Sequence, residues 1–120
     1  MPDTTGSPPL SPKMRIWQVV ALIPHGKVCS YGQIADYAGL PRYARYVSTA
    51  LKQAPQSLQL PWHRVINAQG KIAFPPHSAA FREQCSRLRN EGITVNQGRI
   101  ALSECQWHPD LATLVLSLPF

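Results

Sequence analysis

Residues 30–52 read Ser-Tyr-Gly-Gln-Ile-Ala-Asp-Tyr-Ala-Gly-Leu-Pro-Arg-Tyr-Ala-Arg-Tyr-Val-Ser-Thr-Ala-Leu-Lys, and their organisation decides the fold. Ser30 stands three residues before Gln33, the spacing of a capping box, in which two side chains satisfy backbone N–H groups reciprocally. The short helix that follows, through Ile34 and Ala38, ends at Gly39, a residue suited to the left-handed conformation that closes helices. Pro41 is expected to open the next helix. There Val47, Ala50, Leu51 and Ala54 form an apolar stripe at helical spacing, while Arg42, Arg45, Ser48, Thr49 and Lys52 form the opposite one. One face packs and the other is basic and hydroxyl-rich. Two helices joined by a brief Gly-Leu-Pro turn, the second with such a face, make the pattern of a helix-turn-helix.

Upstream, Ser11 can cap a helix and Pro12 can occupy its first turn, with Met14, Trp17, Val20 and Ala21 on one face and Pro24 and Gly26 as the stop. Residues 1–12 are rich in proline, serine and threonine and are expected to be a disordered arm. Downstream, Arg64–Asn67 and Lys71–Phe74 read as two strands around Ala68-Gln69-Gly70, a hairpin that would serve as a wing. Phe81, Cys85 and Leu88 mark a later helix ending before Gly92, and Arg99–Leu102 a short strand. Residues 106–120 are expected to be an irregular C-terminal tail. The fold class is therefore mostly α with a small β-hairpin, a winged helix-turn-helix DNA-binding domain over residues 13–105, with no internal repeat.

The composition agrees with a polyanionic partner. Lysine and arginine number 12 against 6 acidic residues in a chain of 120, a net charge of +6, and such an excess favours phosphate contacts. The length allows one modest core. No apolar run approaches the roughly 20 residues of a membrane span, and no signal peptide opens the chain. We therefore expect a soluble intracellular protein, cytoplasmic or, in a eukaryote, nuclear, with no membrane association and acting as a monomer. Cys29, Cys85 and Cys105 are odd in number and widely spaced, which suits neither a disulfide framework nor a zinc site. The four histidines are scattered. No metal or cofactor is expected.

Three motifs, Ile23-Pro24-His25-Gly26-Lys27-Val28, Ser30-Tyr31-Gly32-Gln33-Ile34-Ala35 and Pro61-Trp62-His63-Arg64-Val65-Ile66, together resemble the DNA-binding domain of the O6-alkylguanine-DNA alkyltransferases, over about residues 16–95. In that family the last motif reads Pro-Cys-His-Arg. Here Trp62 replaces the cysteine, the defining departure of the alkyltransferase-like proteins, which this sequence resembles most. The resemblance implies that the lesion base is flipped into a pocket where a thiolate would take its alkyl group. The thiolate is activated by a histidine that a glutamate orients, and His63 and Glu91 match those positions. An indole donates only its N–H and offers no comparable nucleophile. Alkyl transfer is accordingly expected to be lost, with no catalytic residue remaining.

The resemblance also implies a retained binding apparatus. Arg45 matches the arginine that fills the gap left by the extruded nucleotide, and Tyr31 the tyrosine that presses on the lesion's phosphate to rotate it. Trp62, Tyr31, Arg45, Val65 and Ala54 are the expected lesion-binding residues. Arg42, Ser48, Thr49, Lys52, Arg64 and Lys71 are expected to reach DNA, chiefly its phosphates. His63 and Glu91 also read as a structural pair bridging the wing to the last helix. Ala54 stands where the family usually has asparagine, and Phe74–Ser78 lacks the usual Gly-Gly-Tyr type of loop, so a differently shaped pocket is expected.

The resulting expectation is a non-enzymatic sensor of O6-alkylguanine in double-stranded DNA. As the resemblance implies, it signals to nucleotide excision repair proteins and competes with alkyltransferases. Two alternatives stand beside it: an active alkyltransferase using Cys29, Cys85 or Cys105, and a sequence-specific winged-helix regulator that reads base edges in the major groove.

Overall fold

The computed structural model describes residues 10–120; most of the expected disordered arm, residues 1–9, lies outside them. The first helix, α1 (Pro12–Ala21), starts as its sequence dictates, with the Ser11 side chain accepting a hydrogen bond from the Met14 N–H at 3.3 Å and proline in the first turn. Its buried face differs from the expected one. Ile16, Val19 and Val20 are fully buried, whereas Met14 and Ala21 are exposed. Val20 belongs to both stripes, and the face of Ile16, Val19 and Val20 is the one that the helix at Ala44–Lys52 covers. Trp17 lies at the edge of that face, where its indole N–H donates to the Ala50 carbonyl at 2.8 Å.

Helix α2 (Tyr31–Tyr37) carries the complete capping box, with Gln33 N–H donating to Ser30 Oγ and Ser30 N–H to Gln33 Oε1, each at 3.2 Å. Gly39 adopts φ +74° just past its end, the left-handed geometry that glycine tolerates without cost. Helix α3 (Ala44–Lys52) begins three residues later than Pro41 suggested. The reason lies next door: Arg42 has φ +74°, which no right-handed helix can include. Val47 and Ala50 of α3 are fully buried where it crosses α1 and α2, sharing one core with Ile34, Ala35 and Ala38.

The hairpin is replaced by a different pairing. Strand β1 (Cys29–Ser30) runs parallel to β2 (Val65–Ile66), Cys29 opposite Val65 and Ser30 opposite Ile66. The Asn67 side chain accepts from the N–H groups of Gln69 and Lys71, at 3.0 and 2.9 Å, a local closure that competes with ladder formation. Beyond it Lys71 bridges Arg99, Ile72 N–H donates to Gly98 and Ile100 N–H to Gly70. Pro75 and Pro76 then remove two donors that a longer strand would need. The wing is thus built by residues 70–72 against 98–100, and the expected strand at Arg99–Leu102 gives way at its end to helix α5 (Leu102–Cys105).

Helix α4 (Ala79–Asn90) is capped by Ser78 and ends before Gly92 as its sequence indicates. Its Cys85 and Leu88 join Val28, Ile66, Ile93 and Val95 in a second core. The C-terminal segment is more ordered than a tail. Trp107 N–H donates to Val28 at 2.8 Å, its ring meets Tyr37 edge-on at 5.7 Å, and Leu114 of α6 (Leu111–Ser117) reaches the first core.

Candidate nucleic-acid interface

Pro61 breaks the approach to β2, and Trp62–Arg64 form a single 3-10 turn before the strand begins at Val65. Gln84, which is almost completely buried on α4, fixes this turn from behind: its side-chain amide donates to the carbonyls of His63 and Val65, both at 2.9 Å. Gln84 was not among the expected site residues. Its signal was a polar residue between Phe81 and Leu88 on the apolar stripe of α4, where only a satisfied amide is tolerated.

Glu91, at the end of α4, draws three distant segments together. Its carboxylate accepts from His63 Nε2 at 2.7 Å, from Arg64 Nε and Nη2 at 2.7–3.1 Å, and from the Gly26 N–H at 2.9 Å. Arg64 Nη1 donates further to the Ile23 carbonyl at 2.8 Å. The Ile23–Val28, Pro61–Ile66 and Asn90–Gly92 motifs therefore meet at one carboxylate. Burial alone would raise the Glu91 pKa, but the hydrogen bonds from Arg64, Gly26 and His63 outweigh it and hold the group at about 2. Burial lowers the pKa of His63, and the nearby Arg64 and Arg87 charges act in the same direction, against the opposing pull of Glu91. A neutral imidazole donating Nε2–H to Glu91 leaves Nδ1 as an acceptor, and this buried Nδ1 has no partner among the described residues.

Trp62 is half-buried beside this relay. Its ring meets Phe74 edge-on at 6.0 Å and His63 at 6.2 Å, and the Arg87 guanidinium lies 5.4 Å from its centre. Two cavities flank it. The first, of about 270 Å³, is lined by Tyr31, Ser48, Leu51, Lys52, Trp62, Val65, Phe74 and Ala80; it is close to the roughly 300 Å³ at which small-ligand pockets begin. The second, about 610 Å³, is lined by Leu51, Ala54, Pro55, Gln56, Gln59, Leu60, Trp62 and Arg87.

The structure thus brings Tyr31, Val65 and Trp62 to one cavity, together with Ser48 and Lys52 from α3. Ala54 borders the second cavity instead. Arg45 lies one turn before Ser48 on the same helix face and is exposed, as are Arg42, Thr49, Lys52 and Lys71. Arg64, expected at the phosphates, bonds inward here: three of its nitrogens donate to the Glu91 carboxylate and the Ile23 carbonyl. Leu51, Phe74 and Arg87 complete the walls and were not singled out as site residues, since nothing local in sequence joins them.

Residues 11–93 match the family model of the 6-O-methylguanine DNA methyltransferase DNA binding domain. The chain belongs to this family. It is 45% identical to the DNA base-flipping protein of Vibrio parahaemolyticus, over 80% of this chain and 95% of that one. It is 40% identical to alkyltransferase-like protein 1 of Schizosaccharomyces pombe, over 79% and 93% of the two chains. Its structure is similar to the crystal structure of S. pombe Atl1 in complex with damaged DNA containing O6-carboxymethylguanine, with a TM-score of 0.74 and 39% identity over 82% of this chain and 95% of that one. The 6-O-methylguanine DNA methyltransferase DNA-binding domain is a helix-turn-helix type, and α2 and α3 supply that unit here. Among the described residues no helix is long and apolar enough to cross a membrane.

Proposed function

We propose that this protein recognises O6-alkylguanine in duplex DNA by extruding the base into the cavity between α3 and Trp62, and releases it chemically unchanged. One observation carries the reading. The His63 ring, held by Glu91 at 2.7 Å, has as its neighbour, 6.2 Å centre to centre, the indole of Trp62, at the position the family resemblance gives to a nucleophilic cysteine. The relay is able to hold a proton, but the side chain before His63 has no bond-forming lone pair to activate.

The three thiols do not replace it. Cys29, Cys85 and Cys105 are all buried, and burial pushes Cys29 up to about 12 and raises Cys105; a nucleophilic thiol needs the opposite shift. For binding, Tyr31 and Lys52 sit on the rim with the phosphate-directed face of α3, and Arg45 projects from that face to occupy the vacated stack. Flipping costs a few kcal/mol and least at a weakened pair, which favours a lesion that already disturbs pairing. The protected, unrepaired lesion then serves as a mark for nucleotide excision repair proteins and is withheld from alkyltransferases.

The experiment is an equilibrium titration against two duplexes that differ only in an O6-methyl group on one guanine, at fixed near-physiological salt because the phosphate contribution is steeply salt-dependent. Tighter binding to the methylated duplex, with the lesion recovered intact, is the expected result. Equal binding overturns the reading and leaves a basic helix-turn-helix protein. Methyl groups recovered on the protein would make it an alkyltransferase.

A further inference from the structure

Helix α6 is anchored by one side chain. Of its seven residues only Leu114 is buried, whereas Leu111, Val115 and Leu116 are 63%, 68% and 87% exposed. Leu111, Val115 and the partly buried Leu118 stand at i, i+4 and i+7, so they form one apolar stripe alongside Leu114. Next to it opens a cavity of about 240 Å³, walled by Leu22 at the end of α1, by Trp107 and by Leu114, with Asp110 on its rim. A contiguous apolar surface of this kind on a small protein marks a place of attachment. None of its residues lines the cavities at Trp62 or belongs to the basic face of α3, and α6 lies beyond residues 11–93, the part that matches the family model. Lesion binding as proposed above makes no use of it.

The charge around this surface identifies its occupant. All 12 lysines and arginines of the chain precede residue 100. Asp110 borders the cavity, and Asp36 adjoins Tyr37, whose ring meets Trp107. Both carboxylates are exposed, and among the described residues neither pairs with a cation. Arg15, which approaches from α1, has its guanidinium against the Phe120 ring at 4.7 Å. A chain of net charge +6 thus sets an apolar surface among carboxylates, the reverse of its DNA-directed face. Nucleic acid is disfavoured there and a basic protein segment is favoured. A second copy of the chain fits poorly. A helix of seven residues is about 10 Å long, too short to supply the roughly 800 Å² per partner of a stable interface, and a second α6 brings more carboxylate and no cation.

We propose that the Leu111–Val115 stripe and the cavity beside it hold an amphipathic, basic segment of a partner protein. Its apolar side chains enter the cavity while its lysines or arginines face Asp36 and Asp110, in the manner of a helix lying in a groove. This attachment goes beyond lesion recognition and does not depend on it.

Two short synthetic helical peptides with the same leucine pattern serve as probes, one with lysine and the other with glutamate at every polar position. Titrated into the nitrogen-15-labelled chain, the lysine peptide is expected to give saturable amide shifts in α6 and at the Trp107 indole. The glutamate peptide should bind at least about tenfold more weakly, like charges then facing each other. Leu111→Gln combined with Val115→Gln should abolish these shifts and leave the melting temperature and the affinity for methylated duplex unchanged, since both side chains are exposed. No saturable shift, or shifts confined to α2 and α3, would overturn the surface. Equal affinity for the two peptides would overturn the basic character of the partner. Self-association of the protein, or flotation with lipid vesicles, that is lost in the double variant would overturn the proposal in favour of a second copy or a membrane surface.

Discussion

His63 Nε2 lies 2.7 Å from Glu91 Oε2, and the same carboxylate is gripped by Arg64 and by the Gly26 backbone. A pair that survives beside Trp62 therefore has a structural task whatever its chemical history: it closes the loop after α1, the turn before β2 and the end of α4 around one buried charge.

That task has a pH signature. Glu91 ionises at about 2 in the fold against an ordinary 4.5, so its contribution is complete above pH 4.5 and lost as pH falls toward 2. The shift corresponds to about 3 kcal/mol. His63 is lowered from 6.5, so it too favours the fold above that value and costs stability as the unfolded chain takes up its proton below it. Stability is expected to decline gently below pH 6.5 and steeply below 4.5. Urea unfolding of Glu91→Gln, followed from pH 7 to 3, should show lower stability at neutral pH and a much flatter acid limb. An acid limb as steep as that of the unaltered protein would show that the carboxylate does not carry the effect.

Arg64 and Lys52 are expected to separate cleanly. Removing Arg64 leaves a buried carboxylate without its main partner, so Arg64→Gln should lose about 2–4 kcal/mol of stability and leave the salt dependence of DNA binding unaltered. Lys52→Gln should change stability by no more than about 0.5 kcal/mol and reduce the slope of log affinity against log salt by about one phosphate contact. Melting curves with binding at three salt concentrations decide the matter; a reduced slope for Arg64→Gln would return that residue to the interface.

Trp62→Ala is expected to reduce the preference for O6-methylguanine over guanine by about five- to 150-fold, the equivalent of roughly 1–3 kcal/mol of base–aromatic contact. Trp62→Phe should keep most of it. Titration of both variants with the paired duplexes measures this, and full discrimination by the alanine variant would remove Trp62 from lesion recognition.

Arg45→Ala tests the extrusion step. With 2-aminopurine beside the lesion, binding of the unaltered protein should raise fluorescence as stacking is disrupted, and saturating Arg45→Ala should give little rise and about tenfold weaker binding, about 1.4 kcal/mol and so part of the few that unstacking costs. An unchanged rise would mean that the gap is filled without Arg45.

The capping box, the Gly39 stop and the α3 stripes were legible in sequence because each depends on residues within a few positions of one another, and local hydrogen bonding or helical periodicity enforces them. The same is true of the Ser11 and Ser78 caps. The pairing of β1 with β2 was not legible, since a two-residue parallel bridge between segments 36 positions apart leaves no periodic trace, and the nearer hairpin closes only its turn, through Asn67 and Lys71. Nor did α1 reveal its buried face, because two stripes of similar spacing compete and only the position of α3 selects between them.

The sequence by itself determined the helix-turn-helix, the basic face of α3 and the presence of tryptophan where the family resemblance calls for a nucleophile, all of which follow from residue identity and short-range geometry. Only the tertiary structure decided that Arg64 is bonded to Glu91, that Gln84 clamps the turn carrying Trp62, and that Trp62 stands between two cavities of different polarity. Those facts are set by where α4 packs against β2, and a buried charge or amide reports its partner only once the chain has brought the two together.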